Sequence, residues 1–205
     1  MANLISGVIL AGGSNRRMGG SMKALLQLDG KRFIERQLEE LSKLCSEIII
    51  VANQPELFEP FLSNQQVDVR IIRDLNPGKG PLAGLQAAMA KARYDELWVV
   101  ACDMPFASAA AAQLLLELRR DRNRAECEIA LPLIAGRLQP LHAIYHRSCK
   151  SIIDQLLDEE CYRMMALIKL ASSAVGEESL FVQQEIPLNF IVNVNEPADL
   201  EKLQL

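Results

Sequence analysis

Residues 4–23 read LISGVILAGGSNRRMGGSMK. The run 4–11 is mostly apolar and β-branched, and it is closed by Gly12-Gly13. A short run of that kind ended by glycine predicts a buried strand. Gly12, Gly13, Gly19 and Gly20 place four glycines in nine residues. Such a segment turns tightly and brings backbone N–H groups close to an anion. Arg16, Arg17 and Lys23 add positive charge to it. At the end of the first strand of an α/β sheet, this suits a phosphate-gripping loop. The alternative is a glycine loop with solvated basic residues. The spacing is not the dinucleotide GxGxxG, and Ala24 after Lys23 excludes the GxxxxGK[ST] loop.

Outward from this stretch, β-rich runs alternate with helical ones. Asp29-Gly30 is a turn signal, and 31–45 has apolar residues at helical spacing. Strands are expected at 47–53, 67–74 and 96–103. Helices are expected from Pro55 to about Leu62, from Pro81 to about Arg93, and over 107–121. Strands at 128–132 and 139–146 follow, then helices over 147–158 and 161–171. A strand at 189–194 precedes a last helix at 196–203. Repeated strand–helix crossovers predict an α/β fold, a three-layer α/β/α sandwich on a mostly parallel sheet. The late pair of strands makes that sheet mixed.

The 205 residues suit a single domain, 1–205, able to bury roughly 70% of the surface the unfolded chain exposes. Twenty-two Lys+Arg against 26 Asp+Glu give a net charge of −4. That balance and an aromatic content of 5% argue against a nucleic-acid partner. No apolar run reaches the ~18–20 residues of a membrane span, so no membrane partner is expected. The start, MANLISGVILAGG, lacks a basic leader and reads as a strand. Five cysteines without a CxxC pair read as reduced thiols in a cytoplasmic protein.

In open α/β sheets ligands bind beyond the carboxyl ends of the strands. Asp74 ends the third strand, before Gly78, Gly80 and Gly84 at the start of a helix whose free N–H groups can meet an anion. Alternatively, Asp74 caps a turn and Gly84 permits close packing. Asp103 ends the fourth strand. A carboxylate held there can take Mg²⁺ as one ligand, leaving water and phosphates for the rest; its other reading is a helix N-cap. Asn195 sits where it can cap the last helix. His142 and His146 lack nearby Cys or carboxylate partners, which makes a weak metal signal. The run from Arg119 to Arg124 reads as a solvated helix end, and Cys102 as a small buried residue.

Basic glycine loops and a placed carboxylate, without an evident nucleophile or imidazole base, suit transfer between phosphates. The attacking oxygen is then already ionised, and catalysis reduces to positioning and charge neutralisation.

GVILAGGSNRRMGGSMK (7–23), GPLAGL (80–85), CDMPF (102–106) and NVNEPADL (193–200) resemble, in order, the motifs of the molybdenum cofactor guanylyltransferase family. The resemblance implies a nucleotide-diphospho-sugar-transferase-like, Rossmann-like fold. It implies a Mg²⁺-dependent nucleotidyltransferase that joins GMP from GTP to the terminal phosphate of molybdenum-loaded molybdopterin, releasing pyrophosphate. Carried over by motif, Leu10, Ala11, Gly12 and Gly13 would meet the nucleotide. Arg17 and Lys23 would hold phosphates, and Asn53 and Asp74 would line the GTP site. Gly80, Pro81, Leu82, Ala83 and Gly84 would form the guanine-side loop, and Asp103 would hold the metal. Arg137, Pro140 and Asn195 would face the pterin. Proteins that deliver molybdopterin and molybdoenzymes that accept the product would be partners. Asn15 replaces a frequent family Ser, and Met22 an Asp or Asn. The alternatives are the related cytidylyltransferase, using CTP, and a non-catalytic protein that binds GTP and molybdopterin.

Overall fold

The computed structural model describes residues 4–12, 22–63, 65–74, 76, 78–121 and 127–203. Gly13 to Ser21, with Arg16 and Arg17, and Arg122 to Arg124 lie outside the described residues.

β1 (Ile5–Ala11) is buried at every position. β2 (Gln27–Leu28) and β3 (Lys31–Arg32) form a small antiparallel hairpin. Asp29 and Gly30 both take positive φ, 54° and 76°, as the favoured two-residue hairpin turn requires. The helix expected from residue 31 therefore starts two residues later, as α1 (Phe33–Ser42). β4 (Glu47–Ala52), β5 (Asp68–Arg73), α2 (Gly80–Lys91), β6 (Glu96–Ala101) and α3 (Ala109–Arg120) follow. Where a helix from Pro55 was expected there are two short 3₁₀ turns, Pro55–Leu57 and Glu59–Phe61. Next come β7 (Ile129–Ile134), β8 (Arg137–Leu138), β9 (His142–His146), α4 (Lys150–Asp158) and α5 (Met164–Leu170). β10 (Ser173–Glu177), α6 (Glu178–Gln183) and α7 (Pro197–Leu203) complete the described elements.

The main sheet has eight strands, with the path β10-β7-β9-β6-β1-β4-β5 and β8 paired to β7. β1 pairs parallel with both β4 and β6, while β9 runs antiparallel to β6 and β7. The sheet is thus mixed where the late strands enter. β1, β4 and β6 are apolar on both sides because both faces are covered. One face packs Ile34, Leu38 and Leu41 of α1, Leu115 of α3 and Phe181 of α6. The other packs Leu82, Leu85 and Met89 of α2, Ile153 of α4 and Leu167 of α5. Among the described residues, no helix is long and apolar enough to cross a membrane.

Two expectations fail at the end of the chain. Residues 189–194 are not a strand; Leu188–Ile191 form a 3₁₀ turn whose Phe190 is buried against Phe181 and His142. A strand at 173–177 takes the sheet edge instead, paired parallel to β7. Its sequence, SAVGE, is too short and polar to stand out. Gly176 fits closely there, since a Cβ would lie 3.2 Å from Leu115 and Phe181.

The chain runs from β1 outward to β4 and β5, then crosses back through α2 to β6 on the other side of β1. That reversal opens a crevice beyond the carboxyl ends of β1 and β6.

Candidate active site at the carboxyl edge of the sheet

Four strand ends converge on this crevice. β1 delivers Gly12, β4 delivers Asn53, β5 delivers Asp74 and β6 delivers Asp103. Asn53 Nδ2 donates to the Gly12 carbonyl at 2.6 Å. Asp74 Oδ1 accepts from the Asn76 N–H at 2.9 Å, an Asx-type turn. Its Oδ2 lies 3.3 Å from where a Cβ on Gly12 would sit, so a larger residue there would press on this carboxylate. The turn before α2 uses Gly78 and Gly80 at φ 86° and 77°, values that other residues rarely adopt. Pro81 follows in the first helical turn. Lys79 Nζ lies 5.3 Å from the Tyr162 ring centroid.

A cavity of about 300 Å³ lies among these ends, at the lower limit for small-ligand sites. Its floor includes Leu10, Val51, Ala101 and Cys102. Gly78, Gly80, Pro81 and Gly84 form the α2 side, while Gly12, Asp74, Lys23 and Asp103 supply polar groups and Leu141 closes a margin. Gly84 also serves packing, since a Cβ there would meet Leu10 Cδ2 at 3.1 Å.

Lys23 ties the site together. Its ammonium donates to Asp103 Oδ2 at 3.0 Å and to Asn195 Oδ1 at 2.7 Å. The Val194 N–H donates to the Asp103 carbonyl at 2.9 Å, which docks the chain before α7 onto the same turn. Asn195 therefore spends its side chain on Lys23. The capping at α7 falls to Asp199, whose carboxylate accepts from the Asn195 and Glu196 N–H groups at 2.9 and 3.0 Å. Asp103 is not a helix cap either, because Ser108 caps α3 through the Ala111 N–H.

Asp103 Oδ1 is buried and, among the described residues, has no hydrogen-bond partner. An unspent carboxylate oxygen beside a cavity fits a cation completed by phosphate and water. Among the described residues, no cluster of three or more His, Cys, Asp or Glu could hold a metal unaided. Burial, and secondarily the charge of Asp103, push the Cys102 thiol up to about 12, so it is not a ready nucleophile. His142 is a core residue. Its Nε2 accepts from the Ser108 N–H at 3.1 Å, its ring packs on Trp98 and Phe190, and burial pushes it down to about 3.

The structure thus brings Leu10, Gly12, Lys23, Asp74, Gly80, Pro81, Gly84 and Asp103 to one cavity, with Asn53 and Asn195 beside them. Ala11, Leu82 and Ala83 turn their side chains into the core, so a contact from them would come through the main chain. Arg137 is exposed on β8, and the Pro140 carbonyl accepts from Tyr145 Oη at 2.7 Å; neither lines the cavity. Gly13 and Arg17 lie outside the described residues. Sequence reasoning missed Val51, Ala101, Leu141 and Cys102 as lining residues. The first two were detectable as apolar residues at or next to the last position of strands that end at this edge. Arg119 and Arg120 end α3 as expected, and Arg120 is exposed, but both also pair with the buried Glu96.

The fold and this edge together define a nucleotidyltransferase. The chain belongs to the MobA-like NTP transferase family, whose domain description matches residues 7–175. A protein of Clostridium perfringens (strain 13 / Type A), named "Probable molybdenum cofactor guanylyltransferase", is 36% identical over 202 residues, which cover 96% of this chain and 96% of that one. The solved structure of molybdopterin-guanine dinucleotide biosynthesis protein A from Archaeoglobus fulgidus matches with a TM-score of 0.77 and 25% identity, covering 97% of this chain and 96% of that one. 4-diphosphocytidyl-2C-methyl-D-erythritol synthase from Anaerococcus prevotii shares the fold, with a TM-score of 0.75, 12% identity and coverage of 98% and 95%.

Proposed function

We propose that this protein transfers GMP from GTP to the terminal phosphate of molybdenum-loaded molybdopterin, giving molybdopterin guanine dinucleotide and pyrophosphate. The observation that carries the reading is the pairing of Lys23 with Asp103 at the mouth of the cavity, in a chain near-fully covered by a relative of that name. The acceptor phosphate is already an ionised nucleophile, so the site needs no general base. Gly12 and the N-terminus of α2 would present N–H groups to the nucleotide, with Gly80 to Gly84 on the guanine side. Asn53 holds the Gly12 carbonyl and Asp74 stands beside it, which supports both as shaping the GTP site. Lys23 would turn from Asp103 to the phosphates and neutralise charge gathering on the departing pyrophosphate. Mg²⁺, held by Asp103 Oδ1 with phosphate oxygens and water, would add further neutralisation of the phosphates. Gly13 and Arg17 are assigned to phosphate contact on sequence alone. Asn195, through its bond to Lys23, stands nearer the reaction than Arg137 or Pro140, which are assigned to the pterin by family motif.

The sheet shared by both core faces supports one domain over the chain. Five unpaired cysteines suit a cytoplasmic setting. Proteins that supply the loaded pterin and accept the dinucleotide would be its partners.

The test is pyrophosphate release from purified protein with molybdenum-loaded molybdopterin and Mg²⁺, in parallel with GTP and CTP. Release with GTP alone is expected. Release with CTP alone overturns the base assignment, and GTP binding without release overturns the assignment of turnover.

A further inference from the structure

The apolar stripe of α1, formed by Phe33, Ile34, Leu38 and Leu41, is interrupted by Gln37, which is fully buried. An amide in such a stripe calls for a reason beyond packing. Gln37 Nε2 donates to the Ala101 carbonyl at 2.7 Å and to the Met104 carbonyl at 2.9 Å. Both partners are acceptors only, so the nitrogen end of the amide is fixed by chemistry. The two carbonyls bracket Cys102-Asp103. The Met104 N–H returns to the Ala101 carbonyl at 3.2 Å, so residues 101–104 make one tight turn with Asp103 inside it. Main-chain bonds hold this turn from other sides: Cys102 N–H to the Leu10 carbonyl at 3.1 Å, and Val194 N–H to the Asp103 carbonyl at 2.9 Å. Gln37 clamps it from the helix layer. Its own Oε1 is buried and, among the described residues, without a partner, a standing cost that an apolar side chain of equal length would avoid.

We propose that Gln37 is a positioning residue for the nucleotidyl transfer. By pinning the carbonyls on either side of Asp103, it sets the direction in which that carboxylate faces Lys23 and the bound cation. Supporting groups of this kind typically change metal affinity 10–100-fold when removed. The inference rests on the reading of Asp103 as the cation-holding residue.

The test compares wild type with Gln37→Met, Gln37→Leu, Asp103→Ala and the core control Ile48→Val. Each is measured for Tm, for Mn²⁺ binding by EPR in the presence of GTP, and for kcat against Mg²⁺ concentration. Gln37→Met should lower Tm modestly, because the Met104 carbonyl loses its donor, weaken Mn²⁺ binding about tenfold and raise the Mg²⁺ requirement in step. Ile48→Val should lower Tm and leave the metal requirement where it was. Unchanged metal binding in both Gln37 variants, alongside its loss in Asp103→Ala, overturns the positioning role alone. Unchanged binding in Asp103→Ala shows instead that the cation reading of that carboxylate has failed. Loss of folding in both Gln37 variants assigns the residue to the fold and also overturns the proposal.

Discussion

The two edges of the sheet handle their charges in opposite ways. At the amino edge, Glu47 and Glu96 are the buried first residues of β4 and β6. Glu47 Oε1 accepts from Ser6 Oγ at 2.7 Å and the Arg93 N–H at 2.6 Å; its Oε2 meets Arg70 and lies 3.6 Å from Arg93 Nε. Glu96 is gripped by Arg119 and Arg120. These carboxylates are fully committed to protein partners. At the carboxyl edge Asp103 has one oxygen on Lys23 and the other unspent among the described residues, next to a cavity. A saturated buried charge organises structure, whereas a partly satisfied one beside a cavity is available to a ligand.

Asp103→Ala should give the largest effect, lowering kcat by about 10²–10³-fold in the pyrophosphate assay while Tm stays near the wild-type value. A large fall in Tm would erase the contrast between the edges. Glu47→Ala should do the reverse. Removing one partner of a buried pair typically costs about 3–5 kcal/mol, and the low end applies because Arg70 and Arg93 remain partly exposed. Urea unfolding should register that loss, with the KM for GTP unchanged.

His142 belongs to neither edge, and it sharpens the comparison through pH. Its folded value, about 3, lies below its ordinary 6.5 because burial disfavours the imidazolium. Below about pH 6.5 the unfolded chain takes up a proton that the folded chain refuses. Stability is then lost as pH falls towards 3, with a slope of at most about 1.4 kcal/mol per pH unit. His142→Gln should flatten that slope in denaturation curves taken at successive pH values, and an unaltered slope would assign the acid sensitivity to the carboxylates. The smallest effect is expected for Gly84→Ala. Its Cβ would press on Leu10 Cδ2 at 3.1 Å, a strain that offsets the roughly 1 kcal/mol gained by alanine over glycine inside a helix, so stability should change little while the KM for GTP rises. A stability change without any change in KM would remove Gly84 from the site and leave it to packing.

Much of the fold was legible because its central strands are buried on both faces. Residues such as Val8 to Ala11, Ile48 to Val51 and Leu97 to Val100 form apolar runs whose ends are marked by glycine or a polar residue. The edge strand 173–177 escaped notice because one buried face and a glycine leave little pattern. NFIVNV misled for the opposite reason: its composition is β-like, yet Phe190 finds its partners through a 3₁₀ turn. Arg119 and Arg120 read as solvated because Glu96, their partner, is remote in sequence. Gln37 carried a faint signal as the one amide in the α1 stripe, but nothing in the chain near it indicated which carbonyls it would clamp.

By itself the sequence determined where strands stop and which chemical groups stand there: Gly12, Asn53, Asp74 and Asp103. Those features depend on neighbours along the chain. The tertiary structure alone decided that Lys23 meets Asp103 across 80 residues and Asn195 across 172, and that Gln37 reaches the turn between them. The crossover through α2 and the docking of Val194 create those meetings, because a charge partner is chosen by proximity in space, which local sequence does not encode.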